Sequence, residues 1–295
     1  MPEYRLVIPP EMDGMKVRHA ALQGLHMSSS QYKRAKFQGS ITLDDQPAMA
    51  DAIVHAGQTL CVSVPEKEAQ KPEAVDIPLH IVYEDEYLWV IDKPAPLPSA
   101  VSTRSDSPTL QNALFSRLGQ PDDFVYRPVN RLDKGTSGLM IVARDAHTQQ
   151  LLQRMLHTPD FEREYLAVVE GCPAEDEGWI DLPIGKCEGA TIRREVRADG
   201  KEARTHYRVM HRGARSLIRL RLDTGRTHQI RVHMSHMGCP ITGDFLYGTE
   251  ETKSLPGRFA LHSCFIGLKH PCTQEKITFQ SSLPENLERL LKNFT

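Results

Sequence analysis

The sequence lacks any run of about 18 consecutive apolar residues, roughly the length that a membrane-spanning helix needs. Its first residues also lack the charged and then apolar pattern of a signal peptide, so we expect a cytoplasmic protein. The six cysteines include no Cys-x-x-Cys pair, which argues against a disulfide framework and a cysteine zinc site. No glycine-rich phosphate loop follows a strand-like segment, so no nucleotide cofactor is expected. In the absence of a heptad pattern, we expect a monomer.

The composition is that of an ordinary globular protein, with 40% apolar and 25% charged residues. A chain of 295 residues usually forms about two domains. We expect a small N-terminal module over residues 1–64, a polar, proline-bounded linker over 65–78 and a larger domain over 79–295.

The larger domain has many strand-like segments and few helical ones. Apolar runs predict strands at 81–83, 88–91, 139–143, 165–169, 205–209, 217–222, 259–268 and 276–279. Apolar residues at helical spacing predict helices at 146–156 and 285–291. This pattern favours an α+β fold, with a mixed, mostly antiparallel central sheet and flanking helices, over a doubly wound sheet.

The N-terminal module contains a basic helix and two strands. A serine triplet at 28–30 could cap a helix over 31–37, which Gly39 would end, and strands follow at 40–43 and 59–64. The helix carries three candidate RNA-binding residues, Lys33, Arg34 and Lys36. The pattern resembles a small RNA-binding module of a ribosomal small-subunit protein, although the opening Arg-Leu-Asp of that module is missing. A structural cap on the larger domain is the alternative.

The net charge of −2 conceals a basic segment. Residues 186–231 contain thirteen Lys and Arg against five Asp and Glu. A basic stripe in a near-neutral protein favours a polyanionic partner, whereas a solvated, salt-bridged sheet face is the alternative. The candidate contacts to an RNA backbone are Arg193, Arg194, Lys201 and Arg204.

Asp133 lies in a turn rich in glycine, serine and threonine that leads into the apolar run 139–143. Arg131 and Lys134 flank it, and opposite charges close by favour the ionised carboxylate. A strand that holds an acid at its end is a common way to present a reactive group. Taken alone, the same pattern fits a structural Asp–Arg pair at a surface turn.

Two further segments carry candidate functional side chains. Tyr165 begins an apolar strand, where its ring could stack on a flat base or could simply be a half-buried strand residue. Thr227 could cap a helix that presents Arg231 to Asp133 or to a phosphate. The histidines of this helix do not have the spacing of a zinc site, so no metal is expected.

Four motifs together resemble the RluA family of RNA pseudouridine synthases, from residue 81 to about 283. They are Ile-Val-Tyr-Glu-Asp with Lys-Pro (81–85, 93–94), Arg-Leu-Asp-x-x-Thr-Ser-Gly (131–138), Tyr-Leu-Ala (165–167) and Gly-Arg-Thr-His-Gln-Ile-Arg-Val-His (225–233). The resemblance implies the pseudouridine synthase fold, no cofactor and an RNA partner. The appended module favours large-subunit ribosomal RNA, with transfer RNA as the alternative.

The resemblance also implies roles for residues. Asp133 would be the catalytic aspartate, acting as nucleophile or as base, Tyr165 would pack on the target uracil, and Arg231 would hold the carboxylate. The candidate substrate-binding residues in these motifs are Arg131, Thr136, Arg226, His228 and Gln229. The chain has Asn130 where the family usually has histidine. A non-catalytic RNA-binding protein and an N-glycosyl hydrolase remain open as alternatives.

Overall fold

The computed structural model describes residues 3–25, 27–65, 71–101 and 107–292. The chain divides into two compact units, Met1–Gln70 and Lys71–Thr295. The predicted linker over 65–78 includes residues outside the described part, so its bounds stay a prediction.

The first unit contains, among its described residues, two α-helices, a short 3-10 helix (Pro10–Met12) and a four-stranded antiparallel sheet in the order β1-β4-β2-β3. Its elements are β1 (Glu3–Val7), α1 (Val17–Gly24), α2 (Ser29–Gln38), β2 (Ser40–Leu43), β3 (Gln46–Pro47) and β4 (Thr59–Ser63). Its core is formed by side chains such as Val17, Tyr32, Ile41 and Leu60.

The predicted basic helix is confirmed and begins two residues earlier than expected. Ser28 and Gln31 form a capping box, in which each side chain accepts a hydrogen bond from the other residue's backbone amide. Gly39 follows the helix as its C-cap. The helix therefore has a defined start and stop in the local sequence.

The second unit carries the predicted α+β fold. Its elements are β5 (His80–Glu84), β6 (Leu88–Lys93), α3 (Leu110–Arg117), β7 (Ser137–Ala143), α4 (Ala146–Met155), β8 (Phe161–Glu170), β9 (Glu177–Asp181), β10 (Ile184–Lys186), β11 (Arg194–Val196), β12 (Arg204–His211), β13 (Arg215–Leu222), α5 (Gln229–His236), β14 (Leu261–Lys269), β15 (Lys276–Gln280) and α6 (Glu285–Lys292).

Nine of the described strands form one sheet in the order β5-β6-β7-β14-β8-β13-β12-β9, with β15 pairing on β14. Its pairs are antiparallel except β7 with β14, where Gly138 lies opposite Ser263. Gly138 has φ +106°, and a methyl group there would lie 2.2 Å from the backbone oxygen of Ser263. Glycine is therefore required where these two central strands meet.

Every residue of β7 is buried, which makes it a firm support for the turn before it. Met140 packs in a core with Leu114 of α3, whereas Ile141 packs on the other face with Leu152 of α4. A strand covered on both faces reads as a continuous apolar run. This strand fixes the position of the Asp133 turn.

Several elements differ from the sequence expectations. The helix expected to be capped by Thr227 begins at Gln229, and the cap position is occupied by His228 in the left-handed conformation, φ 60°. No bounds were predicted from the sequence for α1, α3, β1, β3 and β9–β11. None of the helices in the described part of the chain has the length and hydropathy that a membrane span requires.

Candidate active site

A cavity of about 970 Å³ opens where three segments converge. These are the turn with Asp133, the middle of β8 with Tyr165 and the loop that enters α5. The amide of Thr136 donates to the backbone oxygen of Asp133 at 3.0 Å, which closes the turn ahead of β7. The cavity therefore gathers the three sequence-predicted catalytic residues, Asp133, Tyr165 and Arg231.

Arg231 joins two carboxylates. Its Nη1 donates to Oδ2 of Asp133 at 2.9 Å, while Nε and Nη2 donate to the two carboxylate oxygens of Asp244 at 2.7 and 2.8 Å. Burial by itself lowers the pKa of Arg231, but the hydrogen bonds and charges of Asp244 and Asp133 raise it above its ordinary value. The guanidinium is thus a fixed, charged support for Asp133.

The charge that faces Asp133 comes from far along the chain. Of the cations proposed from sequence, Arg231 pairs with Asp133 although 98 residues separate them. Among the described residues, neither Arg131 nor Lys134 forms an ion pair with it. The side chain of Asp133 remains 31% exposed and thus open to the cavity.

His228 is the second group beside Asp133, with Nε2 at 3.9 Å from Oδ2. Its Nδ1 lies 2.8 Å from the hydroxyl of Tyr247, which accepts a hydrogen bond from the backbone amide of Arg194. The hydroxyl proton is therefore free to point at Nδ1, which leaves the ring proton on Nε2, toward Asp133. Burial lowers the pKa of His228, which favours this neutral ring.

Tyr165 is buried in strand β8 and lines the cavity. Burial raises the pKa of its phenol, so the hydroxyl stays protonated near neutral pH. The ring offers an apolar surface beside a polar carboxylate, an arrangement suited to holding a flat heterocycle against a sugar-facing acid.

The remaining predicted substrate-binding residues also line the cavity. Arg131 is exposed, whereas Thr136 is buried. Gln229 accepts from the Arg226 amide and from Thr224, and its Nε2 donates to the backbone oxygen of Arg204 and the hydroxyl of Thr205. Its amide is thus fully engaged by the protein, so it shapes the loop that carries Arg226 and His228.

The predicted RNA-binding residues lie in two places. In the first unit, α2 carries Lys33 and Lys36 exposed and Arg34 partly buried. In the second unit, the basic residues Lys186, Arg194, Lys201 and Arg226 line a cavity of about 500 Å³, and the acidic residue Asp199 also lines it. Arg193 lies over the Tyr247 ring, and the exposed Arg204 lies 4.2 Å from the Trp179 ring centre.

Three functional residues were missed from the sequence. No local signal marks Tyr247, because its contact with His228 is made by folding. Asp244 follows Gly243, but nothing in the local sequence indicates that it pairs with Arg231. Arg163 stands out in the alternation of strand β8 as a charged residue on the buried face. No cluster able to hold a metal occurs within the described residues.

The comparisons with known proteins agree with this geometry. A family model described as RNA pseudouridylate synthase matches residues 87–236. Ribosomal large subunit pseudouridine synthase D of Pseudomonas aeruginosa is 37% identical over 306 residues, which span 96% of this chain and 93% of that protein. An uncharacterized RNA pseudouridine synthase of Bacillus subtilis, YlyB, is 36% identical over 260 residues, or 86% of each chain.

A solved structure gives the same result. Human RNA pseudouridylate synthase domain containing 1 aligns with a TM-score of 0.59 and 25% identity, covering 76% of this chain and 97% of that one. The resemblance drawn from four sequence motifs is thereby confirmed. The chain belongs to the RluA family of RNA pseudouridine synthases.

Proposed function

We propose that this protein isomerises uridine to pseudouridine in large-subunit ribosomal RNA and that Asp133 carries out the reaction at the ribose. The observation that carries the proposal is the carboxylate of Asp133, held by Arg231 at 2.9 Å beside the buried ring of Tyr165 in one cavity. Relatives named for the large ribosomal subunit support the choice of RNA.

The reaction is balanced without an imported group. The bond between N1 of the base and C1′ of the ribose breaks, and a bond between C5 and C1′ forms. The proton on C5 leaves, and N1 gains one. Nothing is oxidised or reduced, so the residues must supply an anionic oxygen at the sugar, a surface that retains the detached base, and protection from water.

Asp133 supplies the anionic oxygen, as a nucleophile at C1′ or as a base at the sugar. Arg231 fixes its position, because two of the three guanidinium nitrogens are held by Asp244 and only Nη1 reaches Asp133. Tyr165 packs on the uracil while the base turns. The target nucleotide must leave its stack to reach this cavity, since the reacting bond is shielded inside a helix.

The basic residues bring the RNA to the cavity. The second cavity with Lys186, Lys201 and Arg194 shares Arg226 with the active-site cavity, so a backbone can follow basic side chains from one to the other. We propose that α2 of the N-terminal module adds contacts through Lys33, Arg34 and Lys36. We propose that the protein acts in the cytoplasm, where its proposed substrate is found, and that it is a monomer, since Asp133, Tyr165 and Arg231 line one cavity of a single copy.

A release assay tests the reaction. A large-subunit ribosomal RNA transcript with tritium at C5 of uridine should lose label to water with the wild-type protein and not with Asp133→Asn. Asp123→Asn, an exposed residue away from the cavity, is the matched control and should release label normally. Free uracil without pseudouridine would show a hydrolase, and RNA binding without either product would show a non-catalytic RNA-binding protein. Release from a transfer RNA transcript alone would overturn the proposed substrate.

A further inference from the structure

Arg163 is a buried cation that the proposed reaction does not use. Only 6% of the residue is exposed, and it lines the active-site cavity on the same strand face as Tyr165. Residues two apart on a strand lie roughly 7 Å from each other on one face. The guanidinium therefore stands beside the ring proposed to hold the base.

The carboxylates next to Arg163 in sequence do not neutralise it. Glu162 and Glu164 project to the opposite face of β8, where they pair with Lys276 at 2.8 Å and Arg219 at 3.4 Å. Among the described residues, Arg163 forms no ion pair. Its Nη2 donates to the backbone oxygen of Leu156 at 3.2 Å, and its buried Nε has no partner.

Two more nitrogen-bearing side chains gather at the same wall of the cavity. A methyl group at Gly225 would lie 3.3 Å from Nη1 of Arg163 and 3.9 Å from Cε1 of His157, so both side chains border this glycine. Arg226, the next residue, also lines the cavity and forms no ion pair within the described part of the chain. Partial burial and the charges of Arg163 and Arg226 lower the pKa of His157.

A buried guanidinium with unused donors is costly unless an anion meets it. We propose that Arg163, Arg226 and His157 form a binding site for an RNA phosphate next to the target uridine. Arginine suits this task, because its planar fork matches two phosphate oxygens. The phosphate would hold the backbone while Tyr165 holds the base. The inference rests on the proposed RNA substrate.

The salt dependence of RNA affinity tests the site. Each phosphate contact to a single strand contributes about 0.7 to the slope of log affinity against log salt. Arg163→Gln should raise KM about tenfold, leave kcat within about twofold and lower this slope by about 0.7. Arg163→Lys should keep the wild-type slope, because it keeps the charge. Arg219→Gln is the matched control, because Arg219 lies in β13 and pairs with Glu164 on the face of the sheet opposite Arg163. It should change none of these values.

A structural role for Arg163 gives a different pattern. If the residue only binds the Leu156 carbonyl, both substitutions lower the melting temperature and leave the slope unchanged, which would overturn the proposal. Equilibrium binding of the same transcript, measured without turnover, separates this failure from that of the reaction. If the wild type releases no tritium but its RNA affinity shows the salt slope that depends on Arg163, the proposed reaction is wrong and the phosphate site stands. If the wild type does not bind RNA, the phosphate site is overturned too.

A second measurement covers an Arg163→Gln protein that does not fold. The imidazole signal of His157, assigned in the wild type with His157→Gln, should shift when a bound RNA oligonucleotide saturates the protein. Its pKa should rise, because the phosphate offsets the charges of the two arginines. An unchanged signal on the bound protein would overturn the site.

Discussion

Arg231 gives Asp244 two parallel hydrogen bonds, of 2.7 Å from Nε and 2.8 Å from Nη2. Asp244 is fully buried and also accepts from the backbone amides of Leu246 and Tyr247. This pair holds the guanidinium in one orientation, so that the third nitrogen is aimed at Asp133. The proposed catalytic geometry therefore depends on a residue that does not line the active-site cavity.

Asp244→Asn should damage both stability and activity. Removing one partner of a buried ion pair typically costs about 3–5 kcal/mol, because the other charge is left unmatched. Urea denaturation should show a loss of about 3 kcal/mol, and tritium release should fall at least tenfold even in the folded fraction. Asp133→Asn, at the exposed end of the same guanidinium, is the control and should cost less than about 1 kcal/mol. Equal losses of stability for the two variants would contradict this account.

Lys93 should make the protein more stable as the pH rises above 7. It is fully buried, and its Nζ donates to the backbone oxygens of Pro94 and Leu97. Burial, with Arg258 nearby, lowers its pKa from 10.5 to about 7. Between these values the unfolded chain holds a proton that the folded chain lacks, so the free energy of unfolding should rise by up to about 1.4 kcal/mol per pH unit.

Urea denaturation at pH 7, 8 and 9 measures how the free energy of unfolding changes with pH. Lys93→Met should flatten this pH dependence, whereas Lys269→Met, an exposed residue at the end of β14, should keep it. A wild-type slope that survives in Lys93→Met would assign the pH dependence to another group.

His233 should make the protein less stable in acid. Its Nε2 donates to the backbone oxygen of Leu182, and its Nδ1 accepts from the hydroxyl of Thr205, so the neutral ring is satisfied on both sides. Burial lowers its pKa below 6.5. As the pH falls below 6.5 the unfolded chain takes a proton that the folded ring does not, and stability is lost at up to about 1.4 kcal/mol per pH unit.

The variant His233→Asn should be less stable than the wild type at pH 7. Between pH 6.5 and 5, however, its free energy of unfolding, measured by urea denaturation, should fall by less than that of the wild type. His211→Asn, an exposed residue at the end of β12, serves as the comparison and should retain the wild-type acid slope. An acid slope that is the same in both variants would exclude His233 as its source.

Gly138→Ala should destabilise the fold by roughly 3 kcal/mol or more, through backbone strain and a clash with Ser263. Gly238→Ala is the matched control. It also replaces a glycine at positive φ, 76°, but has open space around the added methyl group, so it should cost only about 1–2 kcal/mol. Thermal denaturation of both proteins would test the difference, and similar melting temperatures would refute the close approach of β7 and β14.

The sequence predicted those parts of the site that local patterns encode. Asp133 precedes an apolar run that predicted a buried strand, and Tyr165 begins a second such run within β8. The helix with Arg231 was predicted, but its start was not. Thr227 is a favoured capping residue. However, the side chain of Gln229 accepts a hydrogen bond from the backbone amide of Arg226, and the loop held in this way has His228 at the cap position.

The sequence patterns could not identify residues that contact each other only in the folded protein. Asp244 and Tyr247 reach Arg231 and His228 from a loop without regular structure. The three-residue strands β10 and β11 contain glycine and charged residues and form because they pair with each other. Helix α3 did carry a local signal, since Asn112 accepts from the amide of Thr109 three residues earlier.

Two acids share one guanidinium in this protein, so the three side chains of Asp133, Arg231 and Asp244 together carry more negative than positive charge. A phosphodiester is repelled by such a point, but an uncharged ribose is not. A polynucleotide can therefore enter with its sugar leading and its anionic linkages turned outward. The same electrostatics that prepare the acid thus dictate which side of a nucleotide is presented to it.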